Sequence, residues 1–327
     1  MSESCDISVI VPCYNANRYL NICLESLKAQ RVPNIEMIFI DDGSTDSTGA
    51  ILDAFARAES RARVGHVRNE GVSAARNRGI SMATGRYIAF MDADDVLEEN
   101  ALSILYQAAV KSGAQITSAN HTLFDVERGF RVPVEIEPVV PQPSEIVREI
   151  IHMHRIYNNL WNKLYVRELF EDGLRLDESV HIGEDALLNL QLYLRAKNIA
   201  HISDHTYVYR VHSSSAMANM GLYSQAHQPM LQSMSAILLR EGVKELYFRD
   251  FLQSCVWVDE KETGIMACMK RFNAYIRPLV LDGVQEDRVP QWDLRIYRAV
   301  VKGYFPQIYI LLRIREKLTG RKGGIRR

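Results

Sequence analysis

The residues best suited to do chemistry are three carboxylates, Asp92, Asp94 and Asp95. They come immediately after the apolar run Tyr87–Met91. In an open α/β sheet, ligands bind outside the carboxyl ends of the strands. A hard divalent cation is usually held there by one or two carboxylates together with substrate phosphates. Aspartates are also common at helix starts, so the same residues fit a solvated turn that caps the next helix. The neighbouring loops must decide between these two interpretations.

A second cluster, residues 12–17, follows the first predicted strand, Ile7–Val11. Pro12 is predicted to end that strand, and the Tyr14 ring could stack on a flat ligand. A plain strand-to-helix turn with Asn17 as the helix cap explains the same residues. On its own, this cluster favours the turn.

Two further clusters are predicted at the same edge. Asp41 and Asp42 end the next strand, and adjacent buried carboxylates are costly unless donors, such as a base N–H, satisfy them. Ser73, Arg76 and Asn77 share one face of a predicted helix, for which a solvated face is the simpler explanation. If each of the four clusters had only its own structural explanation, four unrelated polar clusters would meet at one edge by coincidence, which is far rarer than one such cluster. The sequence therefore predicts a ligand crevice for a metal-bound phosphorylated substrate.

Four motifs occur in the order IxVIVPCYNAN, FIDDGSTD, NEGVSAARNRGI and GRYIAFMDADD. Together they resemble the N-terminal domain of inverting family 2 glycosyltransferases with the GT-A fold. The similarity is strong over about residues 5–120 and continues more weakly through WNKLY (Trp161–Tyr165) and IGEDALLN (Ile182–Asn189) to about residue 215. It implies an α/β fold of GT-A type, with a Rossmann-like, mostly parallel sheet flanked by helices. The alternating strand and helix patterns of residues 7–119 predict the same class.

The resemblance also implies a donor site for a nucleotide-sugar, with a UDP-sugar as the expected donor. Asp41, Asp42 and Arg76 would hold the nucleotide base, and Tyr14 would pack against it. The residues expected to bind the donor are Pro12, Tyr14, Asn15, Asp41, Asp42, Ser73, Arg76, Asp92, Asp94 and Arg210.

A metal ion, Mn²⁺ or Mg²⁺, is expected beside the donor. By the same resemblance, Asp92 and Asp94 would contact the ribose and the metal, and Asp95 is a further candidate contact. Arg210 and His212 follow in the segment YVYRVHS and could contact the diphosphate, with His212 as a further metal ligand. A lone histidine is more often structural, which is the alternative for His212.

Inverting glycosyl transfer needs a carboxylate that takes the proton from the acceptor hydroxyl as it attacks the anomeric carbon. The resemblance assigns this role to the pair Glu184 and Asp185, with Asp185 as the preferred base. The alternative is that both acids only complement a helix dipole. Trp161 and Lys163 are expected to line the acceptor site, although core packing explains Trp161 equally well.

The chain is interpreted in three parts: residues 1–120 as the nucleotide-sugar-binding α/β domain, 121–220 as the acceptor-binding and catalytic-base part of the same domain, and 221–327 as a helical region with a basic tail. Four prolines at positions 133, 138, 141 and 143 mark the first break. The predicted strands are Ile7–Val11, Glu36–Ile40, Ala62–Val67, Tyr87–Met91, Gln115–Ala119 and Thr206–Val211. The predicted helices are Tyr19–Ala29, Ser47–Glu59, Val72–Ala83, Asn100–Lys111, Ser144–His154, Trp161–Phe170 and Asp185–Ala196.

Bulk composition limits the partners. With 39 basic and 40 acidic residues the net charge is −1, which gives no overall field for nucleic acid. Five scattered cysteines fit neither a disulfide framework nor a zinc site, and a reducing cytoplasm is the expected compartment. No stretch approaches the length of a transmembrane helix. The segment 304–327 is apolar and basic, which predicts either a peripheral contact with the inner face of the cell membrane or a merely solvated tail.

The predicted function is metal-dependent, inverting transfer of a sugar to a saccharide or lipid-linked saccharide acceptor in surface polysaccharide synthesis. Two other classes of protein remain open. A sugar nucleotidyltransferase would share the sheet and the metal, but a glycine-rich phosphate loop would be expected after the first strand. A non-catalytic nucleotide-sugar-binding protein would bind the donor without turnover.

Overall fold

The structure is a computed structural model that describes residues 5–32, 34–136, 142–152, 158–213, 227–263 and 265–319. The chain divides into two compact units. The first contains Met1–Pro143, Asn159–Leu188 and Arg195–Met220, and the second contains Ser144–Asn158, Asn189–Leu194 and Gly221–Arg327.

The N-terminal half of the first unit is a parallel sheet with strand order β3-β2-β1-β4. The strands β1 to β4 are Ile7–Cys13, Ile35–Asp42, Ala62–Val67 and Tyr87–Phe90, and the connecting helices α1 to α3 are Asn17–Lys28, Thr48–Ala58 and Val72–Met82. The central strands are buried on both faces, because helices cover a parallel sheet on both sides. The predicted strands and helices of this half are confirmed to within about two residues at each end.

Pro12 does not end the first strand, contrary to the prediction, because β1 continues to Cys13 beside β2. Ile10 directs its carbonyl towards β4, where it accepts the Met91 N–H at 3.0 Å. Pro12, two residues on, faces the same side, and β4 pairs with β1 only as far as Ile10. A proline without an N–H therefore costs no ladder hydrogen bond at this position.

The second half of the sheet is mixed rather than parallel. It adds the order β4-β8-β6-β9-β5, in which β8 is antiparallel to β4 and β6, β6 and β9 are parallel, and the β7 hairpin strand pairs with β6. The elements are β5 Val96–Leu97, α4 Ala101–Ser112, β6 Ile116–Asp125, β7 Phe130–Val134, β8 Lys163–Val166, α6 Glu184–Arg195 and β9 Ile199–Val211.

The prediction of a helix over Trp161–Phe170 is wrong. The segment forms strand β8, Lys163–Val166, followed by a single 3₁₀ turn, Arg167–Phe170. The strand lies between β4 and β6, and Leu164 and Tyr165 are fully buried there. A short apolar run buried on both faces has no periodicity that separates strand from helix, so its neighbours in the sheet decide.

The second unit is helical. Its helices are α5 Pro143–Ile151, α7 His227–Arg240, α8 Phe248–Thr263, α9 Ile265–Arg271, a π-helical segment Phe272–Ile276, α10 Arg277–Leu281, α11 Leu294–Lys302 and α12 Phe305–Thr319. The helical C-terminal region is therefore confirmed. Within the described residues, no helix is both long and apolar enough to cross a bilayer.

Candidate active site

The loops after β1 and β2 are held together by reciprocal hydrogen bonds. The Asn15 N–H donates to Ser44 Oγ at 3.0 Å, and the Thr45 N–H donates to Asn15 Oδ1 at 2.8 Å. Asn15 has a positive φ of 47°, which asparagine tolerates better than most residues. Asn15 was predicted to bind a donor, and the structure gives it the additional task of shaping the edge.

Asp42 is buried and accepts two backbone hydrogen bonds, from the Glu70 N–H and the Gly71 N–H, each at 2.9 Å. Gly71 has a φ of +95°, a region that favours glycine. The carboxylate thereby fixes the loop that begins α3. Each oxygen has a second lone pair, so a contact with a ligand N–H remains chemically open.

Asp41 lies beside Asp42 and forms a chain of hydrogen bonds with His66 and Asp53. Its Oδ1 accepts the Ser44 N–H at 3.1 Å, and its Oδ2 lies 2.9 Å from His66 Nδ1. The other ring nitrogen of His66 lies 3.1 Å from Asp53. Burial raises the pKa of Asp41, but the hydrogen bonds from Ser44 and His66 outweigh it and lower the pKa below its usual value. The two carboxylates raise the pKa of His66.

Two other predicted donor residues lie at the same edge in different environments. The Tyr14 side chain is 52% exposed, so its ring is accessible to a flat ligand. Ser73 is buried in the first turn of α3. Stacking on Tyr14 therefore needs no rearrangement, whereas Ser73 offers little surface.

Arg76 joins the two acidic groups of the site. Its Nη2 donates to Asp92 Oδ1 at 3.0 Å, and its Nη1 lies 2.6 Å from Asp185 Oδ1 and 3.3 Å from Glu184 Oε1. The arginine is 5% exposed. Burial opposes its charge, but the charges of Asp185, Asp92 and Glu184 raise the pKa of Arg76. One buried guanidinium thus holds together carboxylates that are about a hundred residues apart, and its predicted contact with the nucleotide base stays a prediction.

Asp185 has the electrostatics of a proton acceptor. It lies in the first turn of α6 beside Glu184. Burial raises its pKa, Arg76 lowers it, and the charges of Glu184 and Asp92 raise it again, to about 8. A carboxylate with a pKa near neutrality takes up a proton more readily than an ordinary aspartate. The Arg76 guanidinium therefore connects the predicted base, Asp185, to Asp92, which follows β4.

Asp94 and His212, which were both predicted to bind a metal, are direct neighbours, and their role as metal ligands stays a prediction. His212 Nε2 lies 3.0 Å from Asp94 Oδ2, and the imidazole stacks on Tyr19 at 4.2 Å between ring centroids. Arg210 donates to the Asp94 carbonyl oxygen at 3.1 Å and lies over the same tyrosine ring. Burial and the charge of Asp92 raise the pKa of Asp94, while His212 lowers it.

The donor atoms at this position suit a hard divalent cation. The carboxylates of Asp92 and Asp94 are partly exposed, and that of Asp94 lies 3.0 Å from the His212 imidazole. Mg²⁺ and Mn²⁺ accept such ligands and take their other ligands from phosphate and water. The described residues do not form a ready-made group of three or more such ligands.

The structure gives Asp95 a position inside the fold, and its expected contact with a ligand stays a prediction. It is fully buried, and its carboxylate accepts the Tyr207 hydroxyl at 2.7 Å and the Arg210 N–H at 2.8 Å. The same hydroxyl accepts the Asp92 N–H at 3.2 Å. Burial raises the pKa of Asp95 well above its usual value. Asp95 and Tyr207 therefore attach the acidic loop to β9, which carries Arg210.

The two predicted acceptor residues have different surroundings. Trp161 stacks on Tyr207 and Tyr209 at 4.6 and 5.4 Å. Lys163 is buried, and its amine donates to the Asn159 carbonyl oxygen at 2.7 Å. Burial lowers the pKa of Lys163 to about 7, while Asp185 raises it. The lysine therefore supports the segment that carries Trp161.

Sequence reasoning missed Tyr19 and Tyr207. Tyr19 lies under both His212 and Arg210, and Tyr207 joins Asp92 to Asp95. In YVYRV, Tyr207 and Tyr209 are two residues apart, which predicts that their side chains share one face of a strand. Nothing in the local pattern indicates which distant loop a tyrosine on that face will bind.

Comparison with known proteins agrees with this architecture. Residues 8–173 match the family model described as "Glycosyl transferase family 2". The "Uncharacterized glycosyltransferase EpsJ" of Bacillus subtilis is 34% identical over 214 residues, which cover 64% of this chain and 62% of EpsJ. The "Minor teichoic acid biosynthesis protein GgaA" of the same organism is 29% identical over 211 residues, which cover 62% of this chain and 46% of GgaA. The match thus spans less than two thirds of either relative.

A solved structure shares the fold. The crystal structure of S. aureus TarS residues 1–349 in complex with UDP-GlcNAc aligns with a TM-score of 0.68 at 19% identity, covering 96% of this chain and 92% of that one. At this identity the likeness shows a fold of GT-A type. With the family match over half of its length, the chain belongs to glycosyl transferase family 2.

Proposed function

We propose that this chain is a metal-dependent, inverting glycosyltransferase that moves a sugar from a UDP-sugar to a hydroxyl of a saccharide or lipid-linked saccharide. The observation that carries the proposal is the position of Arg76. It binds Asp92 at the end of β4 and Asp185 at the start of α6 with the same guanidinium. An inverting transfer needs a donor-side acid group and a base on opposite faces of one anomeric carbon, and this arrangement supplies both within a small space.

In the proposed reaction, Asp185 accepts the proton of the acceptor hydroxyl as its oxygen forms a bond to the anomeric carbon. The bond between that carbon and the diphosphate oxygen breaks, and its electron pair leaves with the diphosphate. Arg210, which donates to the Asp94 carbonyl oxygen, would bind the departing phosphates. A Mn²⁺ or Mg²⁺ ion held by Asp92, Asp94 and His212 would stabilise their negative charge as a Lewis acid.

Arg76 has two effects on the base in this proposal. It fixes the orientation of Asp185, and its charge opposes the rise in pKa that burial and the neighbouring acids cause. With a pKa of about 8, Asp185 is ionised in the minority of molecules at pH 7, and the charge of Arg76 enlarges the fraction that can accept a proton. Glu184 contacts the same guanidinium and is the alternative base.

The donor assignment is supported by the edge of the parallel strands. An exposed Tyr14 lies at this edge beside the buried pair Asp41 and Asp42. TarS, which shares the fold, was solved with UDP-GlcNAc bound. We infer that residues 1–120 bind the nucleotide-sugar, with uracil between Tyr14 and the two aspartates.

Two further parts of the proposal concern the acceptor and the cellular setting. We propose that residues 121–220 form the acceptor and base part, with Trp161 lining the acceptor site and Lys163 holding its segment in place. We propose that the transfer serves surface polysaccharide assembly on the cytoplasmic side, and similarity to GgaA, a teichoic acid biosynthesis protein, supports the assembly of a surface polymer. The C-terminal residues 221–327 have no assigned catalytic part.

Product analysis tests the proposal against both rivals. Purified protein is incubated with UDP-sugars, Mn²⁺ and a panel of saccharide and lipid-linked acceptors, and the products are separated and their anomeric configuration is determined. Release of UDP together with a glycosylated product of inverted configuration supports the transferase. Donor binding without any turnover supports the binding protein, and pyrophosphate release from a nucleoside triphosphate supports the nucleotidyltransferase.

A further inference from the structure

The second unit presents an exposed face that combines basic and aromatic residues. Helix α11 buries one side, which includes Ile296 and Val300, in the unit. Its other side and its two flanks are exposed. We name this exposed set the α11 face, and it consists of Trp292, Arg295, Arg298, Val301, Lys302 and Tyr304.

Geometry places these side chains together. Arg295, Arg298 and Lys302 follow one another at helical spacings of three and four, so they line one side of α11. Trp292, on the turn before the helix, is 70% exposed, and Tyr304, just after it, is 53% exposed. The face is therefore a basic stripe with an accessible aromatic ring at each end.

The turn that carries Trp292 is anchored. The next residue, Asp293, is 1% exposed and forms an ion pair with Arg249 at 2.7 Å. The Asp293 N–H also donates to the Pro290 carbonyl oxygen at 2.8 Å. An ordered turn therefore holds the exposed Trp292 ring at the surface, where it is accessible to a partner.

The part of the sequence that contains this face has an excess of basic residues. Residues 288–327 contain eleven Lys and Arg against two Asp and Glu, whereas the whole chain has a net charge of −1. One of those two acids, Asp293, is neutralised internally by Arg249. Arg298 pairs with Glu286, so Arg295 and Lys302 are the stripe residues best placed to bind an external anion.

We propose that the α11 face docks the protein on an anionic phospholipid bilayer. Tryptophan and tyrosine are suited to the headgroup level, because each has an apolar ring and a polar group. Lys and Arg near such a surface attract anionic lipid headgroups. The sequence placed a membrane contact on residues 304–327, of which residues 320–327 lie outside the described residues. The structure assigns the contact to residues further upstream, and the assignment stands independently of transferase activity.

Co-sedimentation of the full-length protein with vesicles tests the proposal. Vesicles of phosphatidylcholine with about one third phosphatidylglycerol are compared with pure phosphatidylcholine, at low and high salt. We expect binding to the anionic vesicles only. The double variant Arg295→Glu/Lys302→Glu should bind them at least about tenfold more weakly, because each basic residue near the surface contributes. Trp292→Ala should weaken binding without changing its salt dependence.

A matched control separates the face from net charge. Lys28 and Lys111 are exposed near the ends of α1 and α4, and Lys28→Glu/Lys111→Glu makes the same change in charge. Retained binding by this control and lost binding by the α11 variant support the proposal. Equal binding by both double variants, equal binding to neutral vesicles, or no vesicle binding by the parent protein would overturn it, the last favouring an acidic protein partner. The assay contains no donor or acceptor, so its failure leaves the transferase proposal untouched.

Discussion

Charged side chains are concentrated in two regions: the carboxyl edge of the parallel sheet, here called the acidic edge, and the α11 face. They are buried and paired at the acidic edge and exposed on the α11 face. At the edge, Arg76, Asp42 and Asp95 are buried, and each has partners from distant parts of the chain. On the α11 face, Arg295 and Lys302 point into water. Buried charges must be paired to be tolerated, so the edge is a rigid, specified site. Exposed charges cost little and suit a partner whose position is not specified, such as a lipid surface.

The largest expected effect is on the base. Asp185→Asn keeps the shape of the side chain but removes the proton acceptor, so the rate of transfer should fall by about 10²–10⁴-fold. The dissociation constant for the donor should stay unchanged. Turnover assays and donor titrations of the same preparation measure the two quantities. Asp204→Asn, an exposed aspartate of β9, is the control, and equal turnover of both variants would remove Asp185 from the mechanism.

The next effect concerns the metal. Asp94→Ala removes a proposed ligand, and metal-dependent donor binding should weaken by at least about 100-fold, because even losing an outer partner of a metal ligand costs 10–100-fold. Calorimetry with and without Mn²⁺ measures this loss. Asp204→Ala should behave as the parent protein. Undiminished metal dependence in Asp94→Ala would show that the metal binds elsewhere.

A smaller effect tests whether the edge is rigid because of its buried hydrogen bonds. Tyr207→Phe removes the hydroxyl that binds Asp95 Oδ2 and the Asp92 N–H, while Asp95 Oδ1 keeps the Arg210 N–H. The free energy of unfolding should fall by about 1–3 kcal/mol. Tyr106→Phe is the control, because that hydroxyl bonds a partly exposed Asp6 at 3.0 Å. Urea denaturation measures both. If the two variants lose equal stability, the Asp95 network does not support the edge in the way described.

The Asp41–His66 pair gives a pH-dependent prediction. Because Asp41 and Asp53 raise the pKa of His66, the charged pair stabilises the fold below the pKa of a free imidazole, about 6.5. This stabilisation is lost as the pH rises through the raised pKa. His66→Gln should therefore cost a few tenths of a kcal/mol near pH 5.5 and less at pH 8.5, since the imidazole is about half exposed. A cost that grows with pH would contradict the assigned charge state.

The smallest effect is expected on the α11 face. Arg295→Glu/Lys302→Glu should leave the free energy of unfolding within about 0.5 kcal/mol of the parent protein, as for most surface substitutions. The donor affinity should also be unchanged. A large loss of either quantity would mean that these two exposed residues have a structural task, and the contrast with the buried edge would fail.

The sequence predicted much of the N-terminal half because its signals are local. Apolar strands and amphipathic helices alternate there, and each candidate loop follows a strand. The β8 strand was mistaken for a helix, since the run Lys163–Val166 is too short to show a period. The partners of Arg76 and Tyr207 are separated from them by about a hundred residues in most cases, so no local pattern could reveal them. Residue types thus indicated the candidate groups, while tertiary pairing determines the partners of each one.

A calorimetric titration of the parent protein with UDP and UDP-GlcNAc, with and without Mn²⁺, tests most directly whether the acidic edge binds a nucleotide diphosphate through a metal. The proposed site predicts binding that is at least about tenfold tighter with Mn²⁺, because coordination bonds between the aspartates and the diphosphate require the ion. The same affinity with and without the ion, or no binding of either nucleotide, would contradict it.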